Sequence, residues 1–115
     1  MYNSVEMNIK ELTQAMHQFV RVKGWYEPDS LRPQTPKNLA SSLIIEAAEV
    51  LECFQWSTKV TDSDLLAGEL ADVMLYLLQL ASVTGIDLES AVMKKLQLNY
   101  QRSWDDEQRE EKEEK

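Results

Sequence analysis

From Leu65 to Val83 the chain carries no lysine or arginine, and its only charged residues there are Glu69 and Asp72. A run this long and this apolar exceeds an ordinary strand and reads as a core-facing helix. The two acids are spaced i, i+3, so both project from one face, a turn apart. Upstream, Glu46 and Glu49 repeat the spacing inside another apolar stretch. At about 100° per residue, Cys53 falls between Glu46 and Glu49, and Leu39, Val50, Leu43 and Phe54 continue the arc. Ile45 and Trp56 close the far flank. A lone Glu-x-x-Glu is usually a solvated face, but these pairs sit among apolar groups. Burying an ionised carboxylate costs several kcal/mol unless it is paired or metal-bound. No basic residue stands at i±3 or i±4 to any of the four acids, so Glu46, Glu49, Glu69 and Asp72 together call for a divalent cation. An oxygen-only ligand set points to Mg²⁺, with Mn²⁺ as a substitute, rather than to zinc.

The chain has 115 residues and a formal net charge of −8. That length is one domain, with a core but little room for an elaborate cleft, which a second subunit would complete. The acidic balance disfavours a nucleic-acid polymer or an anionic membrane surface as partner. A small anionic substrate remains compatible, because bound cations reverse the local field. Cys53 is the sole cysteine, so no intramolecular disulfide forms and it reads as a small core residue. Residues Met1 to Glu11 lack an apolar signal core, and no stretch reaches eighteen apolar residues free of charge. The expectation is a soluble, cytoplasmic protein without a membrane partner.

Strand signals are absent, and the expected fold is all-α, a four-helix bundle completed by oligomerisation. The first helix is expected from about Val5 to Lys23, with Ile9, Leu12, Ala15, Met16, Phe19 and Val20 as its apolar stripe. Gly24 stops it. Trp25 to Lys37 holds all three prolines and forms the one long loop. Thr35-Pro36 starts the second helix, which is expected to reach about Trp56. Thr61 and Asp64 have capping-box spacing for the third, which is expected to continue to Thr84. Gly85 ends it, and Asp87 caps a fourth running from Leu88 to about Ser103. Short connections make the second and third helices antiparallel neighbours and bring the two acid pairs together. The domain is expected to span 1–104, and 105–115 is a charge run without apolar residues, assigned no function.

On the fourth helix Lys95, Asn99 and Arg102 share one face at spacings of four and three. Such a mixed polar face is most often simply solvated. Beside a carboxylate metal site it becomes a candidate phosphate clamp, two cations for phosphate oxygens and an amide for a hydrogen bond.

Glu46-Ala-Ala-Glu49-Val-Leu-Glu52-Cys-Phe54-Gln55-Trp56, followed by Gly68-Glu69-Leu-Ala-Asp72-Val-Met-Leu-Tyr76, resembles the MazG-like all-α nucleoside triphosphate pyrophosphohydrolases. The Phe54-Gln55-Trp56 ending, Pro36-Lys37-Asn38-Leu39 and Lys95…Asn99…Arg102 are most similar to the dCTP pyrophosphatase branch. Two departures stand out: Ile45 replaces the first acid of the common Glu-Glu-x-x-Glu, and Pro28 to Thr35 does not reproduce the dCTP enzymes' base-contacting stretch. The resemblance implies Mg²⁺-dependent hydrolysis of a nucleoside triphosphate to a monophosphate and pyrophosphate, with dCTP or a modified dCTP as substrate. It implies Glu46, Glu49, Glu69 and Asp72 as metal ligands, and Glu46 or Glu49 as the catalytic acid nearest the attacking water. Lys37 joins Lys95, Asn99 and Arg102 as phosphate-binding candidates. Trp25 and Trp56 are candidates to wall the base, with core packing as the competing reading, and Tyr76 to contact the sugar. A homodimer or homotetramer is implied. The rivals are a phosphoribosyl-ATP pyrophosphohydrolase-like enzyme, disfavoured by the aromatics, and a non-catalytic module that senses nucleotides or dimerises. A di-iron bundle needs Glu-x-x-His motifs, and the sole histidine, His17, stands in none.

Overall fold

A computed structural model describes residues 6–102. Four helices follow in order, α1 (Ile9–Val22), α2 (Pro36–Glu52), α3 (Ser63–Val83) and α4 (Leu88–Gln101). No strand occurs among the described residues, as an all-α chain requires. Val5, Ser103 and the 105–115 tail lie outside them.

Local chemistry sets each boundary. Asn8 opens α1 rather than a residue near Val5, because it forms a reciprocal capping box. Its Oδ1 accepts from the Glu11 N–H at 2.8 Å, and the Glu11 carboxylate accepts from the Asn8 N–H at 3.4 Å. Thr35 caps α2 as expected, with Pro36 at the first helical position. The helix ends at Glu52, four residues short of Trp56. From Cys53 to Gln55 the backbone switches to i→i−3 hydrogen bonds, which tighten the chain out of the α register. Asp62, not Thr61, caps α3, its Oδ1 accepting from the Leu65 N–H at 3.0 Å. Asp87 caps α4 through the Ser90 N–H.

The ends of α1 and α3 share one construction. Gly24 and Gly85 adopt φ of +73° and +74°, a left-handed conformation that side chains resist. Around Gly24, Trp25 N–H reaches back to the Val20 carbonyl and Gly24 N–H to that of Arg21. Around Gly85, Ile86 and Gly85 bond to Ala81 and Ser82 in the same way. These are Schellman closures, and the first fixes the direction in which Trp25 leaves α1.

Helix α3 is the spine: α2 packs along it most extensively, α1 packs beside it, and α4 touches it sparsely. The core is Met16 and Val20 of α1 with Leu78 of α3, flanked by Ile9, Trp25, Tyr26, Met74 and Leu88. No residue of α4 is buried, so the single chain does not close a four-helix bundle. By length and composition α3 could cross a membrane. Glu69 and Asp72 in its middle would each cost about 3 kcal/mol there on insertion scales, so its apolar faces read as packing surface.

Candidate metal centre and adjoining cavity

Because α2 and α3 lie side by side, they bring Glu46, Glu49 and Glu69 together, each with a carboxylate oxygen within 4.8 Å of the others. All three are half-buried. The fourth expected ligand, Asp72, falls outside this group and is exposed, although its charge still acts on Glu46 and Glu69. Glu46 is pushed up to about 7, first by burial, then by the close approach of the Glu49 carboxylate and the charges of Asp72 and Glu69. Glu69 is also raised, chiefly by its contact with the Glu49 carboxylate, then by burial and neighbouring acids. Each of these shifts reports the same shortage of positive charge.

The donor set fits a divalent cation. Oε2 of Glu46 and Oε2 of Glu69 are sealed from solvent without a hydrogen-bond partner. An orphaned carboxylate oxygen is costly, and a hard cation relieves two at once.

The flank that closes the arc in the sequence does not close it here. Ile45 is exposed, and Trp56, in the turn after α2, is 90 % exposed. The core-packing reading of Trp56 therefore fails in the single chain. Cys53 is half-buried at the end of α2, its Sγ 3.6 Å from the Glu49 carbonyl.

A cavity of about 610 Å³ begins at the acids, where Glu46 and Asp72 line it, and continues past Tyr76 to Gln79. Its far wall is the α1 stripe: Leu12, Ala15, Met16, Phe19 and Val20. A second cavity of about 360 Å³ lies under the proline-bearing loop, lined by Arg32, Gln34, Asn38 and Ser42 among others. Trp25 and Tyr76 line both and so partition them. Trp25 is held edge-on by Phe19, centroids 5.6 Å apart at 85°, while the Arg32 guanidinium lies 5.5 Å from its ring. Trp25 thus packs against the core, as the competing reading has it, and also lines both cavities with Tyr76. Lys37, Lys95, Asn99, Arg102 and Trp56 line neither cavity. Asn99 holds its Oδ1 buried without a donor.

A polar chain that no sequence motif announces lies beside the first cavity. Gln79 is only 3 % exposed. Its Nε2 donates to Gln34 Oε1 at 2.7 Å and to the Tyr26 hydroxyl at 3.2 Å. That hydroxyl lies 2.6 Å from His17 Nδ1, and His17 Nε2 lies 2.7 Å from Ser82 Oγ. Burial, with the Arg21 charge second, lowers the His17 pKa, and burial raises that of Tyr26. The available signal was a lone glutamine in an apolar helix, seven residues after Asp72 and on the same face.

The chain is similar to known proteins. The model of the MazG-like family matches residues 42–115. A pyrophosphatase of known crystal structure from Archaeoglobus fulgidus superposes with a TM-score of 0.68 at 34 % identity, over 90 % of this chain and 99 % of that one. The chain is 29 % identical over 108 residues to dCTP pyrophosphatase 1 of Homo sapiens, covering 86 % of this chain and 61 % of the relative. A dATP/dGTP diphosphohydrolase of Salmonella phage PMBT28 is 48 % identical over 44 residues, 38 % of this chain and 15 % of the relative. The chain thus spans about three fifths of the length of its mammalian relatives. An acid trio carried on paired helices beside an apolar cavity, with a family match across both acid-bearing helices, places the chain in the MazG-like family.

Proposed function

We propose that the protein hydrolyses nucleoside triphosphates to a nucleoside monophosphate and pyrophosphate in a Mg²⁺-dependent reaction, with dCTP or a modified dCTP as the best substrate. The observation that carries this reading is the cluster of Glu46, Glu49 and Glu69, two of its oxygens orphaned, with Glu46 also lining a cavity of about 610 Å³. Homology to dCTP pyrophosphatase 1 supports the choice of nucleotide.

Glu46, Glu49 and Glu69 would hold the cation, with Asp72 at the cavity edge as a further ligand. When bound, Mg²⁺ supplies charge neutralisation for the triphosphate and lowers the cost of activating a water. Glu46 or Glu49 would take the proton of that water as general base. Trp25 and Tyr76 wall the base and sugar, and the apolar α1 stripe excludes water around them. Lys95, Asn99, Arg102 and Lys37 are proposed to hold phosphate oxygens in the assembled protein, and Trp56 to reach the base there.

The assembly is proposed to be a homodimer or homotetramer. Large apolar side chains stay exposed along α3 and α4, among them Leu65, Leu70, Leu75, Met93 and Leu96. Exposed apolar side chains in this number are what packing between copies would cover. The test of the activity is turnover of a panel of ribo- and deoxynucleoside triphosphates with Mg²⁺ and with a chelator. Metal-dependent turnover led by dCTP is expected. Equal turnover of all four deoxynucleotides would keep the pyrophosphohydrolase and discard the dCTP preference.

A further inference from the structure

We infer that Gln79 is the residue that selects the base: its side-chain carbonyl, locked in orientation, accepts a hydrogen bond from the exocyclic amine of an amino-bearing base in the first cavity. This rests on the nucleotide reading above and assigns the group that discriminates within it.

The orientation of the amide follows from one fixed atom. Gln34 Nε2 donates to the backbone carbonyl of Arg32 at 2.6 Å, and a carbonyl can only accept. The other end of Gln34 is therefore its Oε1, an acceptor, so the Gln79 atom 2.7 Å from it must be the NH₂ group. The same NH₂ donates its second hydrogen to the Tyr26 hydroxyl. That hydroxyl pairs in turn with His17 Nδ1, and His17 Nε2 pairs with Ser82 Oγ, so the chain continues across the ring. A flipped Gln79 would set oxygen against oxygen at Gln34.

The consequence lies at the opposite atom. Gln79 Oε1 accepts no hydrogen bond and is not among the sealed polar atoms. Of the two cavities its residue lines only the first. The side chain is therefore a buried, fixed amide with one acceptor left to offer a ligand. Asp72, Tyr76 and Gln79 succeed one another at i, i+4 and i+7, and Asp72 to Gln79 spans about 10 Å of helix. The acids hold the phosphate end of that line, and Gln79 meets the far edge of the base.

An acceptor there distinguishes bases by sign. Cytosine and adenine present an amine donor on that edge, whereas thymine, uracil and guanine present a carbonyl. A carbonyl facing Gln79 Oε1 would leave two buried acceptors unpaired, a loss larger than that of a single hydrogen bond.

Titration calorimetry with dCMP and dUMP in the presence of Mg²⁺ tests this without turnover, because the two bases differ by amine against carbonyl at C4 and by acceptor against N–H at the adjacent N3, and the Gln79 variant isolates the part read by Gln79. Wild-type protein should bind dCMP about tenfold more tightly or better. Gln79→Met should bring the ratio close to one. Gln34→Met, which lies outside the first cavity and removes the acceptor that fixes the amide, should narrow the ratio as well and serves if Gln79→Met does not fold. Equal binding of dCMP and dUMP by wild-type protein overturns the inference, as does an unchanged ratio in a folded Gln79 or Gln34 variant. Selective binding without hydrolysis of any triphosphate would instead overturn the catalytic reading and leave the base selection standing.

Discussion

Glu46 on α2 and Glu69 on α3 each turn a carboxylate oxygen into a space that neither solvent nor a hydrogen-bond donor reaches, and Glu49 stands with them. Two helices that hold such groups together work against their own stability until a cation arrives. That tension gives the metal-free protein a measurable signature.

The Glu46 carboxyl lies near 4.5 when unfolded and about 7 when folded. The folded state therefore binds more protons between those values, and stability associated with this group is lost as pH rises through 7. Metal-free Glu46→Gln protein should melt higher than wild type, by a margin that widens from pH 5 to pH 8. Mg²⁺ should raise the melting temperature of wild type far more than that of the variant. Thermal unfolding across this pH range, with and without Mg²⁺, reads both effects, and a margin independent of pH would contradict them.

His17 has the opposite sign. Its folded pKa is lowered from 6.5 by burial, aided by Arg21, so its contribution is present above 6.5 and lost as pH falls through the folded value. Its two nitrogens face Tyr26 Oη and Ser82 Oγ, and protonation removes the one acceptor nitrogen of the neutral ring. The stability advantage of wild type over His17→Gln should shrink from pH 7.5 to pH 5.5. A constant difference would show that the ring is not held neutral.

Glu49 contacts both of the other acids, so Glu49→Ala should lower kcat/KM by about 100-fold or more, the scale for losing one electrostatic element of a site. Asp72→Ala should also lose activity, with circular dichroism unchanged. Full activity in either variant removes that residue from the site.

Trp25 partitions the two cavities, whereas Trp56 stands in solvent in the single chain. Stacking on an aromatic contributes about 1–3 kcal/mol per base, so Trp25→Ala should raise KM about tenfold with a smaller change in kcat. Trp56→Ala should weaken substrate binding only if assembly carries Trp56 to a site. Sedimentation at micromolar concentration should find a dimer or tetramer. A monomer would contradict the interface reading of α3 and α4.

The sequence made the helices legible because their signals are local: Thr35-Pro36, Asp87 and the two glycines each act within a turn. The acid pairing was legible because i, i+3 spacing and a short connection leave little freedom. Three features were not. The end of α2 depends on a switch to tighter hydrogen bonds that no residue type announces. Asp72 shares a helix face with Glu69, yet only the depth of α2–α3 packing decides which acids meet. Gln79 finds its partners 45 and 53 residues away, and His17 finds Ser82 65 residues away. No periodicity encodes those contacts, so a lone glutamine in an apolar helix carried no assignment.

The most direct test of the acid trio as a hydrolytic metal centre is ³¹P NMR of dCTP incubated with the protein and Mg²⁺. The signals of a monophosphate and pyrophosphate are expected, abolished by a chelator and by Glu49→Ala. Signals of a diphosphate and orthophosphate, or hydrolysis that survives the chelator, would contradict a hydrolytic metal centre of this kind.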